Sequence, residues 1–173
     1  MARKVIRVGL NTKDIDKAIK ELEKYKRDFL KKVDTYRERL AKEIAVNASL
    51  NFGSAVIEDK IRGGPRKPNV KVRVDKRGNI AVVVADGEDA VWCEFGAGVY
   101  HNGSVGSSPH PKGSELGFTI GSYGEGHGKQ SAWGYYEDGD LVITRGTPAS
   151  MPMYNAAQEV MRKAIEIARE VFQ

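Results

Sequence analysis

Three histidines (His101, His110, His127), the single cysteine Cys93 and its neighbour Glu94 are the residues of this 173-residue chain whose types could do chemistry. As a metal site they have the wrong spacing. The histidines are 9 and 17 residues apart through flexible sequence, and no rigid HxxxH-type pair occurs. They read as polar residues of an exposed loop. Cys93 lies between Val91, Trp92 and Phe95 with no cysteine-nucleophile signature around it, so it reads as a small buried hydrophobe. The glycines at 96, 98, 103, 121, 124, 126 and 128 suggest a phosphate loop, but GSYGEGHGK breaks the GxxxxGK[ST] spacing because Gln130 follows Lys129. No catalytic triad order, carboxylate pair or cofactor fingerprint emerges. The expectation is a non-enzyme with no catalytic, metal or cofactor site; a metal-dependent hydrolase built on the loop histidines is a distant rival.

A second kind of chemistry lies in the basic stretch. Between Lys60 and Arg77 there are eight basic residues and one acid, Asp75. Arg62, Arg66 and Lys67 sit among Gly63, Gly64, Pro65 and Pro68, where regular structure is excluded. These three are expected to make intermolecular polar contacts, with an acidic partner surface favoured over nucleic acid. The alternative is a nucleic-acid-binding accessory protein using the basic 60–77 segment.

The elements that must position these groups follow from periodicity. Residues 4–10 read as a short strand. A long amphipathic helix, about 12–52, comes next. Ile15, Ile19, Leu22, Tyr25, Phe29, Val33, Tyr36, Leu40 and Ile44 recur at about 3.6 residues, and Ile19, Leu22, Phe29, Val33 and Leu40 are expected to face protein. No glycine or proline interrupts residues 13–52. Such a helix is longer than a domain of this size is wide, so it breaks near Asn47–Asn51 or projects onto a neighbouring chain. Its 11 basic and 8 acidic residues between 13 and 43 read as well mixed, a solvated face and not a nucleic-acid footprint.

Val70, Val72 and Val74 alternate with charges and pair across Arg77-Gly78-Asn79 with residues 80–85. Residues 89–95 form a short apolar segment. Ten of the 33 residues from Gly96 to Gly128 are glycine, so 99–128 is expected to be mobile until a partner orders it. A second hairpin (132–137, 140–144) turns at Asp138-Gly139, and an amphipathic helix covers about 150–172. The reading is α+β: a small antiparallel sheet, about 70–145 with an extended loop 96–131, packed against a long N-terminal and a C-terminal helix in a single domain, 1–173. A net charge of +5, one cysteine and no secretory signal or membrane-spanning run point to a chain made in a cytoplasm without disulfides.

Several short motifs occur in an order with family character. The segment from Ala90 to Gly98, AVWCEFGAG, holds Glu94-Phe95-Gly96-Ala97-Gly98. His110-Pro111, Trp133-Gly134-Tyr135, Thr144-Arg145-Gly146 and the helix start Pro152-Met153-Tyr154-Asn155-Ala156 follow. Over about residues 11–172 this resembles the tail-completion and head–tail joining proteins of long-tailed phages and prophages. It departs at Ala97, where that family usually has threonine, and in its long 99–128 loop. The resemblance implies a structural virion protein assembled in the host cytoplasm, forming a ring, typically a hexamer, at the neck. Its partners would be itself, connector or stopper proteins and the tail tube protein, with contact possible to DNA in the lumen and no membrane. Partner-binding residues would be Glu94, Phe95, Gly96, Gly98, His110 and Pro111 together with the basic loop.

Overall fold

The computed structural model describes residues 5–6, 8–9, 11–57, 65–96, 108–113, 115–116, 133–144 and 147–173. The chain is α+β. Helix α1 runs Thr12–Ser54 without the break considered near Asn47–Asn51. Asn11 caps it: its Oδ1 accepts from the Asp14 amide at 2.9 Å. Gly53 lies within the last turn, and the helix ends where the Ala55 amide returns to the carbonyls of Asn51 and Phe52. The strand expected over 4–10 is not formed among its described residues, Val5, Ile6, Val8 and Gly9. No described strand edge lies alongside to take up its hydrogen bonds, and alternation alone cannot make a strand.

Strands β1 (Lys71–Arg77) and β2 (Ile80–Asp86) form an antiparallel hairpin with Val72 opposite Ala85 and Val74 opposite Val83. Gly78 takes φ +57° at the first turn position, where a two-residue hairpin loop calls for glycine. Helix α2 (Ala90–Phe95) follows. The second hairpin, β3 (Trp133–Glu137) with β4 (Asp140–Thr144), turns at Asp138-Gly139, both with positive φ. The two hairpins are separate two-stranded sheets, not the one sheet expected.

Helix α3 (Pro152–Phe172) lies antiparallel on α1. Asn51 donates to the Pro152 carbonyl at one end, Tyr36 to the Ala164 carbonyl midway, and Lys32 to the Gln173 carbonyl at the other. The buried residues of the two helices are Ala41, Ala48 and Phe52 of α1 and Pro152, Ala156, Val160 and Ile167 of α3. Phe52, Ala55, Ile57, Ala90 and Cys93 form the central cluster, with Val70, Val72, Ala85 and Met153 packed against it. The lengths do not match. Forty-three residues of α1 extend about 64 Å and twenty-one of α3 about 31 Å. Alpha3 ends where Phe172 meets Phe29, ring centroids 5.7 Å apart. Everything from Phe29 back to Thr12 therefore projects beyond α3.

Candidate functional site

Two features stand out among the described residues: the joint between α2 and α3, and the projecting half of α1.

The joint starts from a helix without a cap of its own. Met151, at the N-cap of α3, is in the left-handed region (φ +51°) and has no side-chain oxygen to offer. Pro152 occupies the first turn, where its missing N–H is harmless. The orphan amides of Met153 and Tyr154 are instead taken by Glu94 of α2, each donating to one carboxylate oxygen at 2.8 Å. A negative charge at the positive end of a helix is favourable in itself. The Cys93 carbonyl accepts from the amides of Ser150 and Met151 and from the Ser150 hydroxyl. Glu94 therefore serves as a cap donated from another helix.

His110 closes this arrangement from the glycine-rich segment. Its Nε2 lies 3.2 Å from a Glu94 oxygen, and its Nδ1 accepts from the Lys112 amide at 3.1 Å. The accepting Nδ1 places the proton on Nε2, facing the carboxylate. The ring packs on Phe95 (centroids 4.4 Å) and Tyr154 (5.3 Å). Ser108 donates to the Phe95 carbonyl. Gly96 follows with φ +77°; a Cβ there would come within 2.9 Å of the Ala149 amide nitrogen and 3.2 Å of the Thr147 carbonyl oxygen. Only glycine lets the chain pass so close to the segment 147–149 that leads into α3.

The expected motif residues thus converge, but inwardly. Glu94 and His110 are both buried, and Pro111 is exposed. His110 is not the exposed loop residue its surroundings suggested. Glu94 and His110 look like an acid–base pair in isolation, but each is committed to structural donors and acceptors. Both are held inside this chain as an internal clamp. Gly98 lies outside the described residues, as do His101, His127 and most of 99–128, so the expected mobility of that loop falls there too. Of its described parts, 108–113 and 115–116, the first is held by Ser108 and His110. Cys93 is fully buried, and burial, reinforced by nearby Asp89, pushes its thiol up to about 11. It stays protonated and is a poor nucleophile at neutral pH. Among the described residues no group of three His, Cys, Asp or Glu side chains could hold a metal, and no helix is long and apolar enough to cross a membrane.

Two cations of the basic loop are engaged within their own chain. Arg66 reaches back into its own chain, donating from Nη1 and Nη2 to the two oxygens of Asp89 at 2.6 and 2.8 Å. Asp89 is buried, and its carboxylate also accepts from the Asn69 amide at 2.7 Å. The planar fork matches the carboxylate. Lys67 donates to the Gly53 carbonyl at 2.8 Å. Arg62 lies outside the described residues. Composition showed where these cations sit along the chain but not that Asp89, 23 residues away, had been buried to receive one of them.

On the projecting half of α1, Ile15, Ile19, Leu22, Tyr25 and Phe29 are 43–55% exposed. Val33 and Leu40 are half-buried, so of the five positions expected to face protein, Ile19, Leu22 and Phe29 have no full cover within this chain. Tyr25 stacks on Phe29, and Phe29 and Tyr36 pack on Phe172. The stripe therefore continues, in register, the surface that α3 covers further along.

No protein-family model matches the chain, and neither a curated protein nor a solved structure is similar to it.

Proposed function

We propose that this chain is a structural virion protein of a tailed bacteriophage, forming a ring of copies at the neck that completes the tail and joins it to the head connector. The observation that carries the reading is the apolar stripe Ile15–Phe29 on a helix that outreaches its own fold. A row of large side chains left half in water, continuous with an intramolecular interface, is what a protein built to associate presents. Placed on a different surface of the next copy, such a stripe makes a head-to-tail contact, which closes into a ring when the rotation allows. The inward clamp of Glu94, Phe95, Gly96 and His110 gives the resembling motifs a structural purpose. Their spacing holds the α2–α3 joint and performs no reaction.

The protein is then no enzyme. Its partners are further copies of itself, most simply six, together with connector or stopper proteins and the tail tube protein. It resides in the virion. The test is to locate it in purified tailed particles, by labelling with an antibody under electron microscopy. Label at the neck is expected. Particles of normal composition and infectivity from a phage whose gene for this protein has been deleted would overturn the reading.

A further inference from the structure

The charges of the projecting helix are mixed in count but sorted in space. At about 100° per residue, Lys13, Lys17, Lys20, Lys24, Arg27 and Lys31 fall within about 80° of arc. They are the only residues of 12–31 in that arc, and all six are exposed. The arc lies opposite the apolar stripe. The five acids of the same stretch run along its two borders, Asp14, Glu21 and Asp28 on one side and Asp16 and Glu23 on the other. The charges of this half of the helix are solvated, as expected, but they are not well mixed around its circumference.

We propose that this ridge docks the phosphate backbone of double-stranded nucleic acid. The inference does not rest on the function proposed above. The cations recur every three or four residues, one per about 5 Å of helix axis, over about 27 Å. A duplex presents phosphates at about 3.4 Å per strand along its axis, so the ridge spans about eight base-pair steps of regularly spaced negative charge. Elsewhere on these helices, lysine or arginine at this kind of spacing pairs with its own neighbours: Lys163 with Glu159, Arg39 with Glu43, Arg37 with Asp34. None of the six ridge cations forms an ion pair with a described residue, so all six are open to an external anion. A lipid surface fits less well. An interfacial helix lays its apolar face into the bilayer and keeps cations beside that face. Here acids border the apolar stripe and six of the seven cations of residues 12–31 lie on the far side, Lys26 alone falling within the stripe. The opposition of the two faces also means that protein can cover the stripe while the ridge stays accessible.

The test uses the full chain and a fluorescent mixed-sequence duplex of about 30 base pairs, with affinity read by anisotropy between 50 and 200 mM salt. With as many as six phosphates neutralised, the affinity is expected to fall about a thousandfold across that range, a logarithmic slope near −5. Lys17→Gln, Lys20→Gln and Lys24→Gln combined should reduce the slope by about three and weaken binding at 50 mM salt at least tenfold. Glutamine forms helix about as well as lysine, so circular dichroism should be unchanged. A control triple of equal charge, Lys71→Gln, Arg77→Gln and Lys112→Gln, should bind nearly as the parent does. Equal weakening by both triples would mean that net charge alone is read, and the proposal would be wrong. Absence of duplex binding at 50 mM salt would also overturn it. So would a ridge variant that loses binding to polyglutamate but keeps the duplex, which would identify an acidic protein as the partner.

Discussion

Glu94 joins three segments that are distant in sequence: α2, which carries it; the first turn of α3, whose amides it receives; and the glycine-rich segment, through His110. Removing its carboxylate leaves two helix-end N–H groups and an imidazole N–H without their acceptor in a buried place. Glu94→Ala is expected to destabilise by about 2–4 kcal/mol in denaturant melts, more than an ordinary exposed cap. Arg66 and Asp89 form the second residue-scale lock. Arg66→Glu places a carboxylate against a buried one, so the melting temperature should fall by several degrees, equivalent to about 2–3 kcal/mol. If Arg66 served only an external partner, the monomer's melt would not move. Cys93 supplies a pH dependence. Its thiol is held at about 11 in the fold, from an ordinary 9.0, because burial disfavours the thiolate. A raised value means that the folded state holds the proton more tightly than the unfolded one. This contribution to stability is complete below about pH 9 and is lost as pH rises towards 11. Urea midpoints should decline across that window, and iodoacetamide should label Cys93 at neutral pH only when the protein unfolds.

The two long helices differ in what holds them. Alpha3 is anchored along its length: Ala156, Val160 and Ile167 are buried. Alpha1 is anchored only from about Phe29 onward. Helix propensity and the Asn11 cap must support the rest, since nothing described packs over it. Phe29→Ala is therefore expected to destabilise by only about 1–2 kcal/mol, below the 3–5 kcal/mol of a fully buried phenylalanine, because the ring is 43% exposed. Ile167→Ala, removing a smaller side chain, should cost more, about 2–4 kcal/mol. The same denaturant series measures both, and the reverse order would mean that the projecting half is covered in solution.

Across the whole molecule, a compact α1–α3–hairpin body carries an amphipathic lever about 25 Å long. Its apolar and basic faces point in opposite directions, so two different partners can be served at once. Ile19→Lys and Leu22→Lys together should leave the thermal midpoint within about 2 °C of the parent, since neither side chain is buried. Sedimentation at high protein concentration should show the parent associating and the double variant monomeric. Met161 and Ile165, exposed on α3, offer a second apolar surface on which a neighbour's lever could rest.

How much of this was legible in the sequence differs by range. The 3.6-residue apolar period and the absence of glycine and proline determined α1. Alternating valines about Gly78-Asn79, and the Asp138-Gly139 turn, determined the hairpins. These signals are local, set by backbone geometry within a few residues. The sequence also placed Cys93 in the core and identified Glu94, Phe95, Gly96 and His110 as unusual. It could not say that the last four meet, because a carboxylate that caps a helix 59 residues away leaves no spacing rule behind. Nor could a periodic stripe reveal where its cover ends. Ile15 and Leu40 look equivalent along the chain, and only the place where α3 stops, at Phe172 beside Phe29, leaves Ile15 exposed while Leu40 is half-buried. Amphipathicity is written into the order of the residues, whereas burial depends on the length of the neighbour, which tertiary packing alone decides.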